Sequence, residues 1–333
     1  MHWLTTPRSF AACCIAVLAL VVPVAPVSAQ ITPERTYYGI DRSIPVRVAA
    51  PQQAAGAVSI ALHTASGEEV AREEVLPGAV DLATFFPVLW STSTPELLYA
   101  QAYAGSAPLG PPVVLQPMIT PQRPQSVPGR DGRPTIRWSP VGDVYSGIRA
   151  YVDKHLILET TEGEVRFRLR PDEAPNTVWH IRELVRGGFY TDIAFHRIVN
   201  THPSGHPFVI QVGDPVGSGL GGPGVFIDLE PSALQHRFGV LSMARSPDPD
   251  TNGSQFFVAL SRQATTHLDG NYTGFGEAVS GAEVIQAIAS VELLPSGQPV
   301  TAPRIVAARL VDAPSIGTGP DPVARPQPAN PRR

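Results

Sequence analysis

Two short stretches in the second half of the chain decide its fold, FHRI at 195–198 and NGSQFF at 252–257. Each places an arginine or an amide side chain among aromatic residues. The strands and helices predicted around them indicate the fold to which they belong. Upstream, residues 156–160 (LILET) and 165–169 (VRFRL) have the composition of strands. A Glu-Gly pair lies between them, which predicts a β-hairpin.

Two helices are predicted among the strands of this half. Pro175 begins a stretch whose apolar side chains fall on one helical face before a Gly-Gly stop, and a second helix fits 282–290. A last strand is predicted over 305–311. Strands at both ends and only two helices predict a mostly β domain over 148–313, a closed antiparallel β-barrel capped by the two helices.

The first half of the chain has a different sequence pattern. Over 30–120, short alternating runs are broken by Pro and Gly with no convincing helical period, which predicts a small β-sandwich of immunoglobulin-like type. Residues 121–147 are rich in Pro, Gly, Arg and Gln, and are predicted to be a linker. The Pro-rich tail at 314–333 is predicted to be disordered. The sandwich shows no catalytic constellation, so we expect a spacer or binding module.

Residues 1–29 have the pattern of a secretory signal peptide. Arg8 precedes an apolar run over 15–22, and Val27-Ser28-Ala29 forms a small-residue cleavage site. A membrane anchor is the alternative, but prolines interrupt the run well before it reaches the ~20 residues that span a bilayer. We therefore expect this segment to be removed, leaving an exported protein, periplasmic or secreted, without a membrane span.

Cysteine content and charge exclude several classes of function. Both cysteines, Cys13 and Cys14, lie in the predicted leader, so the mature chain would have neither disulfides nor thiol chemistry. Apolar residues make up 43% of the chain, enough for packed cores, and the 36 prolines disfavour a helical protein. The formal charge of −4 offers no basic field for nucleic acid.

The stretch from His155 to about Ala313 resembles the cyclophilin family of peptidyl-prolyl cis-trans isomerases. The markers stand in family order: EAPNT at 173–177, GFY at 188–190, FHRI at 195–198, FVIQVGD at 208–214, LSMA at 241–244, NGSQFF at 252–257, LDG at 268–270 and FG at 275–276. One such stretch could arise by chance, but the whole series in this order does not. The resemblance implies an exported, bacterial-type prolyl isomerase with an N-terminal β-rich extension.

Prolyl isomerisation makes particular demands on a site. Rotation about the Xaa-Pro bond crosses a barrier of about 18–20 kcal/mol that comes from amide resonance, while the two isomers differ little in energy. No bond breaks, so the reaction requires no nucleophile, metal or cofactor, only a site that favours a twisted amide whose nitrogen has regained its lone pair. Arginine suits the part of a fixed donor to that nitrogen, because its planar fork stays protonated.

By resemblance, the catalytic residues are Arg197, Gln211 and Phe208. Arg197 would donate to the prolyl nitrogen, while Gln211 would hold the substrate backbone and steady Arg197. The backbone of Arg245 would bind the carbonyl that precedes proline. The other substrate-binding residues line the proline pocket with Phe208 (Val209, Phe257, Leu268 and Tyr272), shape the adjoining groove (Gly219, Ala244, Ser246 and Gln255) or lie beside them (His196 and His267).

Departures from the family pattern bear on this site. Val209 stands where the family has a methionine and Tyr272 where it has a histidine, and neither should abolish proline binding. His267 occupies the position of the pocket's usual tryptophan, which should weaken binding of cyclosporin. Residues 200–207 are an insertion, which should lie on the rim of the active site and alter substrate choice.

Other motifs in this half admit a second interpretation. His202 and His206 could be metal ligands, but no carboxylate or thiol is near them in sequence, which favours a solvated loop. GSGLGG at 217–222 matches a dinucleotide-binding pattern, yet Pro-Gly follows where that mechanism needs a helix. Asn252 and Asn271 begin glycosylation patterns, but a glycan there would block the family's active-site stretches. His196 has no proton to move in this reaction, so we expect a packed residue in a supporting part.

Two functions for the whole chain follow. In the first, an exported folding catalyst accelerates proline-limited steps in other exported proteins, so its partners are proline-containing polypeptides. In the second, the cyclophilin-like half is a proline-peptide binding or scaffold module at the cell envelope. The presence of Arg197, Gln211, Phe208 and Phe257 favours the first.

Overall fold

A computed structural model of the protein describes residues 30–49, 58–130, 132–139 and 144–326. The predicted signal peptide lies outside the described residues, as do residues 327–333 of the tail. Within the described part, no helix combines the length and apolar character needed to cross a membrane.

Two antiparallel sheets form the N-terminal half. A three-stranded sheet has the order β1-β3-β6 and a six-stranded sheet the order β2-β11-β8-β7-β4-β5. Their strands are β1 (Gln30–Pro33), β2 (Tyr37–Gly39), β3 (Pro45–Ala49), β4 (Val58–His63), β5 (Glu69–Val75), β6 (Gly78–Asp81), β7 (Leu98–Ala104), β8 (Ala107–Ile119) and β11 (Tyr145–Val152), with the short helices α1 (Leu82–Phe85) and α2 (Val88–Ser91) between β6 and β7.

The two sheets share one apolar core. Ile31 and Val46 from the three-stranded sheet are fully buried with Ile60 and Val113 from the six-stranded sheet. Alternation of buried and exposed residues along β3 matches the strand pattern of its sequence. The half is therefore built from two packed β-sheets, while its likeness to an immunoglobulin domain stays a prediction.

The segment predicted as a linker contains a β-hairpin. Strands β9 (Pro124–Pro128) and β10 (Pro134–Trp138) pair antiparallel. At the base of the hairpin, Ser139 N donates to the Arg123 carbonyl over 2.9 Å, and Arg123 N donates to Ser139 Oγ over 2.8 Å. The chain enters it from β8 and leaves it into β11, two neighbouring strands of the six-stranded sheet. We call residues 123–139 the arm.

Proline and glycine occupy positions of the arm where they do not interrupt its pairing. Pro124, Pro128 and Pro134 stand at strand ends, where a missing N–H costs little. Gly132 has φ of +77° in the connecting turn, a conformation that glycine adopts without strain. The composition that predicts a linker is thus also compatible with a hairpin, and β11 continues past the predicted boundary at 147.

A nine-stranded antiparallel sheet forms the second half. Its order is β14-β20-β12-β13-β19-β17-β18-β16-β15. The strands are β12 (Lys154–Thr160), β13 (Gly163–Leu169), β14 (Ile193–Ala194), β15 (Arg197–Val199), β16 (Val209–Val212), β17 (Val240–Met243), β18 (Phe256–Ala259), β19 (Gly274–Ser280) and β20 (Arg304–Asp312). The predicted hairpin is present as β12 and β13.

The prediction of a closed barrel is wrong. Among the described strands, β14 and β15 are the two edges of the nine-stranded sheet, and no ladder joins them. The two edge strands are consecutive along the chain, separated only by the buried residues Phe195 and His196, but they do not pair with each other. The sheet is therefore curled but open.

Helices α3 (Pro175–Arg186) and α5 (Ala282–Ala289) begin and end close to the predicted bounds, and α4 (Arg262–Thr265) is a short addition. Buried side chains of α3 and α5 belong to the core of the nine-stranded sheet. Because Ala174 cannot cap α3, Glu230 accepts hydrogen bonds from the backbone N–H groups of Asn176 (3.0 Å) and Thr177 (2.6 Å) instead. Placement of these helices over the ends of a barrel stays a prediction.

Helix α3 also contacts the six-stranded sheet. The Arg149 guanidinium lies 5.0 Å from the Trp179 ring centre, and Tyr151 packs on the same ring at 5.1 Å. Gln116 Nε2 donates to Asn176 Oδ1 over 3.2 Å. These contacts join β8 and β11 to the second half. Because the arm connects those two strands, they also fix its position relative to the second half.

Part of the tail predicted to be disordered is bound to the protein. Ile316 N donates to Oε1 of the buried Gln101 over 3.1 Å, and Ser315 Oγ donates to the Gly110 carbonyl over 2.6 Å. Val323 N donates to the Ala278 carbonyl over 2.9 Å, and its side chain packs on the second core. A buried amide needs a donor, and the tail supplies it through a contact that local sequence does not encode.

Candidate functional site

Three neighbouring strands bring two predicted catalytic residues, Arg197 and Gln211, next to the predicted pocket residue Phe257. In the register of β15, β16 and β18, Arg197 lies opposite Gln211, and Gln211 lies opposite Phe257. Side chains at such positions share one face of a sheet. Residues far apart in sequence thus form a row across the curled sheet.

Hydrogen bonds run along this row. Arg197 Nη1 donates to Gln211 Oε1 over 3.1 Å, and Gln211 Nε2 donates to Gln255 Oε1 over 3.0 Å. Gln255 Nε2 in turn donates to the carbonyls of Gly219 (3.0 Å) and Gly221 (2.9 Å). The exposed guanidinium of Arg197 is therefore held in place by a chain of amides that ends in a glycine-rich loop.

An apolar pocket lies beside the arginine. Val209, Phe257 and Leu268 are buried and form a small separate core, against which Phe208 and Tyr272 pack. The cavity has a volume of about 740 Å³. The predicted site residues on its wall are Arg197, Phe208, Val209, Gln211, Ala244, Arg245, Ser246, Phe257, His267, Leu268 and Tyr272.

A second cavity of about 590 Å³ adjoins the first and contains the other predicted groove residues, Gly219 and Gln255. Asp214 organises its glycine-rich wall by accepting hydrogen bonds from the N–H groups of Val216 (2.7 Å) and Gly219 (2.5 Å). Burial alone would raise the pKa of Asp214, but these backbone donors outweigh it and lower the pKa. No helix follows this loop in the described residues before β17.

His196 lines neither cavity. Its side chain is buried, at 8% exposure, and belongs to the wall of neither one. Burial lowers the pKa of His196, so the ring is neutral at neutral pH. This position suits the packed residue that the sequence predicts, while direct contact between His196 and substrate stays a prediction.

The insertion at 200–207 and the unusual His267 contact each other. The His202 ring lies 5.0 Å from that of Phe208, and the Phe208 ring stacks on His267 at 5.6 Å with 17° between the planes. His202 and His267 also stack at 6.1 Å. The two features that the sequence marks as individual to this chain thus form one aromatic rim over Phe208.

A residue that the sequence does not single out supports the pocket from below. His236 is fully buried and bridges Asp269 Oδ1 (2.9 Å) and Ser242 Oγ (2.8 Å). Its ring stacks on Phe257 at 5.9 Å. Burial lowers the pKa of His236. A lone histidine in a loop carries no local signal of this role, because its partners come from other elements.

The arm also reaches the site. Arg133, Pro134 and Thr135 form part of the wall of the first cavity, whereas the glycine-rich loop lines only the second. The sequence places these residues in a linker and gives them no role. Their position depends on the pairing of β9 with β10 and on the attachment of β8 and β11 to α3.

Taken with its pocket, this arrangement defines a peptide-binding site in which an apolar ring can lie beside a fixed hydrogen-bond donor. Residues 155–310 match the family described as cyclophilin type peptidyl-prolyl cis-trans isomerase/CLD. Peptidyl-prolyl cis-trans isomerase-like 1 of Gibberella zeae is 38% identical over 163 residues, which cover 47% of this chain and 95% of that protein. The isomerase CYP18-2 of Arabidopsis thaliana is 37% identical, with 46% of this chain and 92% of that protein covered.

The chain belongs to the cyclophilin-type peptidyl-prolyl cis-trans isomerases. Among solved structures, a cyclophilin type isomerase of Cryptosporidium parvum in the presence of the dipeptide Ala-Pro is 30% identical, with a TM-score of 0.44 and coverage of 48% of this chain and 99% of that one. The two sheets of the first half lie outside the family match. Because the relatives named above are fungal and plant proteins, the bacterial type stays a prediction.

Proposed function

We propose that the protein catalyses Xaa-Pro isomerisation by hydrogen bonding from Arg197 to the prolyl nitrogen, with the ring in the pocket of Val209, Phe257 and Leu268. The observation that carries this proposal is the Arg197–Gln211 hydrogen bond at the mouth of an apolar cavity. As the amide twists, its nitrogen becomes a hydrogen-bond acceptor. A donor already fixed there stabilises the twisted state more than the planar one.

The Arg197 guanidinium can donate to the prolyl nitrogen while it stays bonded to Gln211, because that bond leaves most of its N–H donors available. Its fork has five N–H groups, and the bond to Gln211 uses one of them. A rate gain of about 10⁵ would need roughly 7 kcal/mol of differential stabilisation. One hydrogen bond supplies only part of that, so the backbone of Arg245 and the shape of the pocket contribute the rest.

We assign the activity to the folding of exported proteins. The signal-peptide pattern at 1–29 and the absence of cysteine after it support this assignment. Proline isomerisation takes tens of seconds at 25 °C without a catalyst, slow enough to limit folding. Fusing residues 1–29 to a reporter enzyme that is active only after export tests the location, and a reporter retained in the cytoplasm would refute it.

The catalytic proposal is tested with the full mature chain and a short proline peptide, by measuring cis-trans exchange with nuclear magnetic resonance. We expect line broadening from exchange at substoichiometric protein. A proline-binding scaffold would shift the peptide signals without accelerating exchange, and that outcome would reject catalysis.

A further inference from the structure

The arm forms one wall of the active-site cavity and is basic. Residues 123–139 contain four arginines and one aspartate, in a chain whose formal charge is −4. Arg133 lies on the cavity wall, next to Pro134 and Thr135. Its charge is felt at the rim, since it helps to lower the pKa of His267, after burial and the nearby His202.

Positive charge dominates the cavity as a whole. The charged residues on its wall are Arg133, Arg197, Arg245 and Asp269. Asp269 is already compensated by Arg262, 2.6 Å away. The Arg245 guanidinium bonds to the carbonyls of Asn271 (2.9 Å) and Ser246 (2.9 Å), neutral groups that leave its charge in place.

The arm and the glycine-rich loop line different cavities of the site. The arm lies on the wall of the first cavity and the loop on that of the second, and the two cavities share Gln211, Ala244, Arg245 and Ser246. If the residues before proline follow the second cavity, then the chain after proline leaves along the arm. All three arm residues are exposed, so the arm flanks the pocket and does not fill it.

We propose that the arm is a substrate-selecting wall, and that Arg133 favours peptides with a carboxylate side chain immediately after proline. The assignment rests on the isomerase site proposed above. An exposed ion pair of this kind changes kcat/KM up to about five-fold at low ionic strength. At 1 M salt the Debye length falls to about 3 Å, so the preference should vanish.

The experiment compares three peptides that differ only after proline, with Glu, Gln or Lys, using exchange spectroscopy on the full mature chain. We expect kcat/KM to fall in the order Glu, Gln, Lys at low salt and to converge at 1 M salt. Arg133→Ala should reduce the Glu-to-Gln ratio toward one, and Arg133→Glu should invert the order. Arg137→Ala is the matched control, because Arg137 is an exposed arginine of the same arm, on β10, but lies outside the cavity wall, and it should keep the preference.

The outcomes separate this proposal from the proposed function. If the mature chain accelerates none of the three peptides, the isomerase site itself fails. If it accelerates all of them without a Glu preference, or if Arg133→Ala keeps the preference, only the role of the arm is refuted. Replacing 124–138 by two glycines, which the hydrogen-bonded base allows, should abolish the preference. A rise in kcat/KM by the same factor for all three peptides, with the Glu preference kept, would instead make the arm an obstruction and overturn the proposal.

Discussion

Replacing Arg197 by alanine separates the chemistry of the site from its stability. The side chain is exposed, and its hydrogen bond is to another side chain, Gln211, at the surface. Surface substitutions of this kind change the free energy of unfolding by less than about 0.5 kcal/mol. The pocket should therefore keep its shape while the donor is lost.

The expected loss of activity follows from one charged hydrogen bond. Such a bond contributes about 1.5–3 kcal/mol, which corresponds to a fall of about 10- to 150-fold in kcat/KM. Because the bond forms with the twisted amide, the fall should lie in kcat. Arg197→Lys keeps the charge but loses the planar fork, so its activity should lie between those of the parent and alanine variants.

The assay is cis-trans exchange of a proline peptide, with the unfolding midpoint in urea measured on the same samples. Arg47→Ala is the control, an exposed arginine on β3 in the first half, and it should change neither quantity. Gln211→Ala should lower kcat/KM by less than Arg197→Ala does, and in the double variant the two losses should not add. Unchanged kcat/KM in Arg197→Ala, with the fold intact, would refute the reasoning.

Three further predictions concern pH and inhibition. Burial, with Arg166 and Arg168 nearby, lowers the pKa of His155 to about 4, whereas the unfolded value is about 6.5. Between these two pH values the unfolded state therefore binds more protons than the folded state. The contribution of His155 to the free energy of unfolding should be complete above pH 6.5 and should fall by about 3 kcal/mol as the pH falls toward 4. Urea unfolding at pH 6.5 and pH 4 should show this fall in the free energy of unfolding, and His155→Phe should reduce it. An equal fall in the parent protein and the variant would contradict the assignment. Isomerase activity should be flat from about pH 6 to 8, because arginine does not titrate there, whereas a bell-shaped profile would implicate a histidine. His267→Trp should strengthen inhibition by cyclosporin in the same exchange assay, and unchanged inhibition would contradict the role given to this position.

Much of the catalytic site is predictable from sequence because its residues occur in short, ordered stretches. Arg197, Gln211 and Phe257 are each named by the stretch that contains them, and the strand register brings them into one row. The stack of His202 on His267 is not predictable in this way. Both residues are visible as departures from the family pattern, but nothing local says that they meet.

Sequence by itself determined the two β-rich halves, the strands β12 and β13, the helix that begins at Pro175, and the identity of the residues around the proline pocket. These features depend on local periodicity and on short stretches of chemistry. Only the tertiary structure decided that the nine-stranded sheet stays open at β14 and β15, that residues 123–139 of the predicted linker form an arm, and that this arm lies against the active site. The composition of a segment limits the backbone conformations that it can adopt. Which strand or surface it packs against depends on contacts with residues far away in the chain, and local composition does not encode these.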